Sequence, residues 1–109
     1  MASHEFGIMQ ETPAFGQRFD EYQPDKYHCI KVDDDAVEQV AEVLCEVDCY
    51  WHTLDVPGKG LAYCGITLIP PSSIPKMDKM IAGLPEFTQL HQLLMQALKE
   101  NRYLIHYGL

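Results

Sequence analysis

Residues 49–69 hold two runs rich in β-favouring side chains, separated by Pro57-Gly58-Lys59-Gly60. Such runs around a glycine-containing turn predict a β-hairpin, and no other segment constrains the fold as strongly. A turn centred on Gly58-Lys59 pairs Thr53 with Cys64, His52 with Gly65, Trp51 with Ile66 and Tyr50 with Thr67. Directly opposed residues share a face. Ala62, Cys64, Ile66 and Leu68 form the more apolar set, so they are expected beneath covering helices together with Cys49, Trp51 and Thr53. Tyr50, His52, Leu54, Tyr63, Gly65 and Thr67 are then expected on the opposite face. A one-residue slip of the turn would exchange these faces.

The flanking segments supply further strands and the helices. Residues 27–32 alternate and predict a strand, with Ile30 and Val32 toward the core and Tyr27, Cys29 and Lys31 away from it. Asp33, Asp34 and Asp35 precede an apolar-periodic segment, which predicts a capped helix over 34–47. Val37, Val40, Ala41, Leu44 and Val47 make its apolar stripe, and Asp35, Glu38, Glu42 and Glu46 its solvated side. The aspartates lack the glycine and distal glutamate of a calcium loop. Pro70 and Pro71 end the second hairpin strand, because proline cannot continue a ladder. Met77, Met80, Ile81 and Leu84 give a short helix broken by Gly83 and Pro85. Phe87, Leu90, Leu94, Ala97 and Leu98 line a longer helix ending near Asn101, and a strand over 103–107 closes the chain.

The resulting order, β-α-β-β-α(α)-β, resembles the ferredoxin-like split βαβ plan: an α+β domain with an antiparallel sheet and helices on one face. That plan hosts many functions and brings none with it. Its 109 residues suit a single domain, assigned here to 26–109. Residues 1–25 are read as an irregular extension, interrupted by Gly7, Pro13, Gly16 and Pro24. Phe6, Ile8, Met9, Phe15, Phe19 and Tyr22 make that extension apolar enough to pack on the domain or on a partner.

Charge narrows the function classes. Eight Lys and Arg against sixteen Asp and Glu leave a net charge of −8, and no basic run occurs, so nucleic acid is not an expected partner. No apolar run approaches the roughly 20 residues of a membrane span. Residues 1–10 lack the basic and apolar regions of an export signal, so the expectation is a cytoplasmic protein with reduced cysteines.

The expected open face carries Tyr27, Cys29, Tyr50, His52, Tyr63, Gly65 and Thr67. This is the candidate ligand-binding surface, since a merely solvated face should be more polar. Either residues 1–25, a second copy in a homodimer, or a small-molecule or protein partner should cover it. His52 opposite Gly65 has room above a residue without a side chain. The leading expectation is a non-enzymatic ligand-binding or interaction module. The alternatives are a cofactor-independent enzyme with His52 as acid or base, and a metal site drawn from Cys45, Cys49, His52 and Cys64. No cofactor is expected, because Gly58-Lys59-Gly60 opens no helix and forms no phosphate loop. Cys64 is expected to be buried, which argues against a nucleophile.

Overall fold

The computed structural model describes residues 2–109 as an α+β domain: a six-stranded antiparallel open sheet and three helices. The strands are β1 (Ser3–Ile8), β2 (Ile30–Asp33), β3 (Asp48–Trp51), β4 (Pro57–Lys59), β5 (Ile66–Ile69) and β6 (Leu104–Tyr107). The helices are α1 (Asp34–Leu44), α2 (Ile74–Ile81) and α3 (Thr88–Glu100). The strand order is β2-β1-β6-β5-β3-β4.

This order departs from the four-strand split βαβ plan at the start of the chain. Residues 3–8 are not irregular. They form β1, inserted between β2 and β6, which leaves β2, the strand before α1, at an edge. The reason lies in burial. Every residue of β1 after Ser3 is buried, with His4, Phe6 and Ile8 turned one way and Glu5 and Gly7 the other. A strand covered on both faces belongs inside a sheet. Its glutamate, histidine and glycine hid that preference from a propensity-based reading.

The hairpin also differs. Pro57, Gly58 and Lys59 are not its turn but an edge strand, where a proline without an N–H is tolerated. The turn is residues 52–56, closed by Trp51 N–H donating to the Val56 carbonyl at 2.9 Å. Residues 60–65 then carry the chain back to the other side of β3. The register is Trp51 with Thr67 and Tyr50 with Leu68, one residue from the expected pairing. That slip reverses β5. Thr67 and Ile69 face the helices, whereas Ile66 and Leu68 face away with Tyr50.

Two apolar clusters result. The larger lies between sheet and helices, with Phe6, Val37, Leu44, Cys49, Ile74, Leu90 and Leu94 among its members. The smaller lies on the opposite face and comprises Met9, Tyr27, Leu54, Ile66, Leu68, Ile105 and Tyr107, with Phe19 and Tyr50 packed against it. This second face is not open: residues 9–29, here called the strap, cross it. A Cβ on Gly7 would stand 2.6 Å from the Tyr27 carbonyl oxygen, so glycine is what lets the strap close onto β1.

α1 stops at Leu44, three residues short of expectation, as Cys45 and Glu46 turn the chain into buried Val47. Asp33 occupies its N-cap without a side-chain capping bond. The aspartates of the first turn still suit the helix dipole, but Asp34 spends its carboxylate on tertiary contacts.

Candidate functional site

His52 stands at the edge of the strap-covered face. It begins the β3–β4 turn with φ of 64°, a left-handed conformation that costs a non-glycine residue about 1 kcal/mol. Hydrogen bonds to its backbone and to both ring nitrogens hold it. Its amide donates to the Ile66 carbonyl at 2.9 Å, its carbonyl accepts from the Phe19 amide at 2.8 Å, and its Nδ1 lies 3.0 Å from Asp20 Oδ1. Nδ1 is also 3.2 Å from the Phe19 carbonyl. Two oxygen acceptors at Nδ1 assign the proton to that nitrogen, leaving Nε2 as the acceptor. Nε2 receives only the Ile66 N–H, at a long 3.3 Å. A Cβ on Gly65 would fall 2.8 Å from Nε2, so glycine makes the space this ring occupies.

Around His52 lies a groove of about 410 Å³, lined also by Asp20, Tyr22, Cys64, Gly65 and Tyr107. The side chain of His52 is 35% exposed. Cys64 is exposed rather than buried, because residues 60–65 leave the sheet before β5 starts. Arg18, and secondarily His52, hold the Asp20 carboxyl below its ordinary range. Tyr22 donates to Glu5, which pushes its phenol up to about 12.

The helix side of the sheet holds a second polar group of a different kind. His4 and His106 are both fully buried, stacked with ring centroids 5.1 Å apart and linked His4 Nδ1 to His106 Nε2 at 2.8 Å. His4 Nε2 lies 3.0 Å from Asp34 Oδ1, to which Tyr63 also donates. His106 Nδ1 lies 3.0 Å from Thr67 Oγ1, which accepts the Ala62 N–H at 2.8 Å. With Asp34 ionised, one arrangement satisfies every atom: Thr67 O–H to His106, His106 N–H to His4, and His4 N–H to Asp34. His106 is then neutral. Burial, and secondarily His4, pushes His106 down to about 3. Tyr63 and then His4 hold Asp34 low, while the same bond pushes Tyr63 up to about 12.

The expected site residues therefore divide. Tyr27, Cys29, Tyr50, His52 and Gly65 lie on the strap side; Tyr63 and Thr67 belong to the helix-side network, Thr67 through the register slip and Tyr63 because residues 60–65 leave the sheet and bring its hydroxyl to Asp34. Tyr27 is not in a strand: it ends a 3-10 turn, Pro24–Tyr27, within the strap and is buried in the cluster between strap and sheet, and the expected strand over 27–32 begins only at Ile30. Burial, with Glu5 nearby, pushes the Cys29 thiol up to about 12. On β6, Leu104 and His106 face the helices, and Ile105 and Tyr107 face the strap. His91 is at the surface, 2.6 Å from Asp78. Sequence reasoning missed Asp20, 32 positions from His52, and the His4–His106 pair, 102 positions apart. Neither pair leaves a local signal.

Cys45, Cys49 and His52 do not converge: Cys45 is exposed beyond α1, Cys49 is buried on the helix side and His52 faces the strap. Among the described residues the group able to approach one ion is Asp34, Asp35 and Glu38, an acidic first helical turn.

Fold and groove together define an α+β sheet domain whose second face is covered by its own N-terminal strap, with an oriented histidine at the strap's margin. No family model, no curated protein and no solved structure matches this chain.

Proposed function

We propose that this chain is a small-molecule-binding domain whose site is the groove beside His52. The observation that carries the reading is His52 itself: a strained, half-exposed histidine oriented by Asp20 and facing a glycine across a groove of about 410 Å³. That size suits a small ligand, and strained backbone concentrates at functional sites. The reading narrows the candidate surface from the whole sheet face to its edge, because the strap occupies the rest. A homodimer across this face, or a protein partner on it, would have to displace the strap. Four unpaired cysteines support a cytoplasmic setting, and no described helix is long and apolar enough to cross a membrane.

The test is an amide-resolved NMR titration with a panel of small polar fragments. Binding shifts the amides of Gly65, Ile66, Phe19 and Asp20, and the shifts vanish in His52→Ala. Fragments that bind elsewhere, or equally well to the variant, refute it.

A catalytic reading is favoured by one feature. The Asp20 contact fixes the tautomer that leaves Nε2 unprotonated, engaged by the Ile66 N–H at a long 3.3 Å that a substrate's donor would have to replace for Nε2 to act as a general base. Hydrolysis of p-nitrophenyl acetate above the buffer rate, lost in His52→Gln and retained in Cys64→Ser, would support it. A rate unchanged by His52→Gln removes it.

A further inference from the structure

The corner between α2 and α3 carries a second oriented histidine, beside a groove of about 400 Å³. Gly83 makes the corner by taking a φ of +81°, and a 3-10 turn over Pro85–Phe87 leads into α3. Ile81 and Phe87, both buried, form the floor of the groove, and Leu84, 37% exposed, forms its rim with Pro85. Thr88 and His91 are its polar side chains, and no lysine, arginine or carboxylate lines it. Asp78 shares a face of α2 with Ile81, as His91 shares a face of α3 with Thr88, so the two helices bring Asp78 and His91 together beside the groove. His91 Nδ1 lies 2.6 Å from Asp78 Oδ1. A carboxylate only accepts, so Nδ1 carries the proton and the neutral ring leaves Nε2 as an acceptor. Unlike Nε2 of His52, Nε2 of His91 has no partner among the described residues, and the side chain is 49% exposed. Thr88 spends its hydroxyl proton on the Pro85 carbonyl at 2.9 Å. The two polar side chains of the groove therefore offer acceptors and no donor.

We propose that this corner is a binding site, separate from the His52 groove, for a small apolar ring compound with one hydrogen-bond donor, such as an indole or a phenol. The ring lies on Leu84, Pro85 and Phe87, and its N–H or O–H donates to His91 Nε2. An apolar lining with few placed polar groups is the usual make-up of a small-molecule site. A rigid ring covers apolar surface at little conformational cost. The donor is specified by the two acceptors and by the Asp78 contact that fixes the tautomer. An anionic ligand is disfavoured: the groove has no lysine or arginine, Asp78 stands behind the imidazole, and the chain carries a net charge of −8.

The experiment titrates the full-length protein at pH 8 with indole, 1-methylindole and 2-naphthoate, reading amide shifts and the ¹⁵N shifts of His91. Indole and 1-methylindole share a ring system, but the second has no donor. The expected result is that indole shifts the amides of residues 82–88 and His91 Nε2, and binds roughly three- to tenfold more tightly than 1-methylindole. 2-Naphthoate should bind more weakly than indole. In His91→Ala, its fold checked by its amide spectrum, the two indoles should bind equally. In Leu84→Ala both should weaken, by roughly threefold, with the preference for indole retained. Equal affinity of the two indoles for the unaltered protein overturns the donor assignment. So does a preference for indole that survives in His91→Ala. Tighter binding of 2-naphthoate than of indole makes this an anion site and overturns the ligand class. Indole shifts confined to Gly65, Ile66 and Phe19, or no shifts at all in residues 82–91, overturn the site itself and leave the His52 groove to its own test.

Discussion

The two faces of the sheet are built on opposite terms. The helix side closes around Phe6, Leu90, Leu94 and Leu104 and admits polar groups only as a finished chain, Thr67–His106–His4–Asp34, in which each member comes from a different element. The strap side has a smaller apolar cluster, a series of cavities and a histidine with one nitrogen loosely engaged. Buried polar atoms must be satisfied inside the protein, so the first face has no capacity left for a ligand. The second face has that capacity because a loop, not a layer of helices, covers it.

The largest expected difference comes from the polar chain. His106→Ala leaves a cavity and deprives both His4 and Thr67 of a buried partner, so it should destabilise by roughly 3–5 kcal/mol in urea unfolding. Phe19→Ala on the strap should cost about 1 kcal/mol. Equal losses would break the contrast between the faces.

Acid should act on the helix side next. His106 is pushed down in the folded state, to about 3 from an ordinary value of 6.5, so the unfolded chain binds its proton first as pH falls. Its contribution is fully present above pH 6.5 and is lost from there down toward 3, at about 1.4 kcal/mol per pH unit. Asp34, held low by Tyr63 and His4, adds a loss in the same direction, starting near its ordinary value of 3.8. Imidazole ¹⁵N shifts of His106 should remain those of a neutral ring at pH 5; a protonation step between pH 6 and 7 would contradict the arrangement.

Gly7→Ala tests how the strap is seated. Its new methyl meets the Tyr27 backbone, which cannot rotate away, so a loss of roughly 1–3 kcal/mol is expected, with amide shifts concentrated in residues 24–29. Shifts spread evenly through α2 and α3 would place the strain elsewhere. Hydrogen exchange gives a finer comparison: the Phe19 amide should exchange through local opening, while amides of β1, β5 and β6 should require global unfolding. The smallest effect is expected for His52→Asn, which keeps a residue tolerant of positive φ at the margin and should change stability by less than about 1 kcal/mol.

How far the chain could be read depended on the range of the interactions involved. The helix-side stripe of α1, the break at Gly83 and Pro85, and the helix ending at Asn101 are all present, because each is set by neighbours within a turn or two. His52 over Gly65 was also legible, though for a different pairing: the slip moved Trp51 from Ile66 to Thr67, yet Gly65 still left room for the imidazole. The sidedness of β5 was not legible. Ile66 and Leu68 against Thr67 and Ile69 offers apolar residues to both faces, and the excursion of residues 60–65 is set by where β4 finds an edge. Tyr63 and Thr67 were misplaced for that reason.

By itself, the order of residues determined an acidic α+β domain, its helices, its hairpin-rich centre and the steric opening at Gly65. Only the tertiary structure decided that residues 3–8 sit inside the sheet, that the strap covers the second face, and that Asp20 meets His52 while His4 meets His106. Local pattern encodes which face of an element is apolar; it carries no record of which distant polar atom that element must satisfy once water has gone.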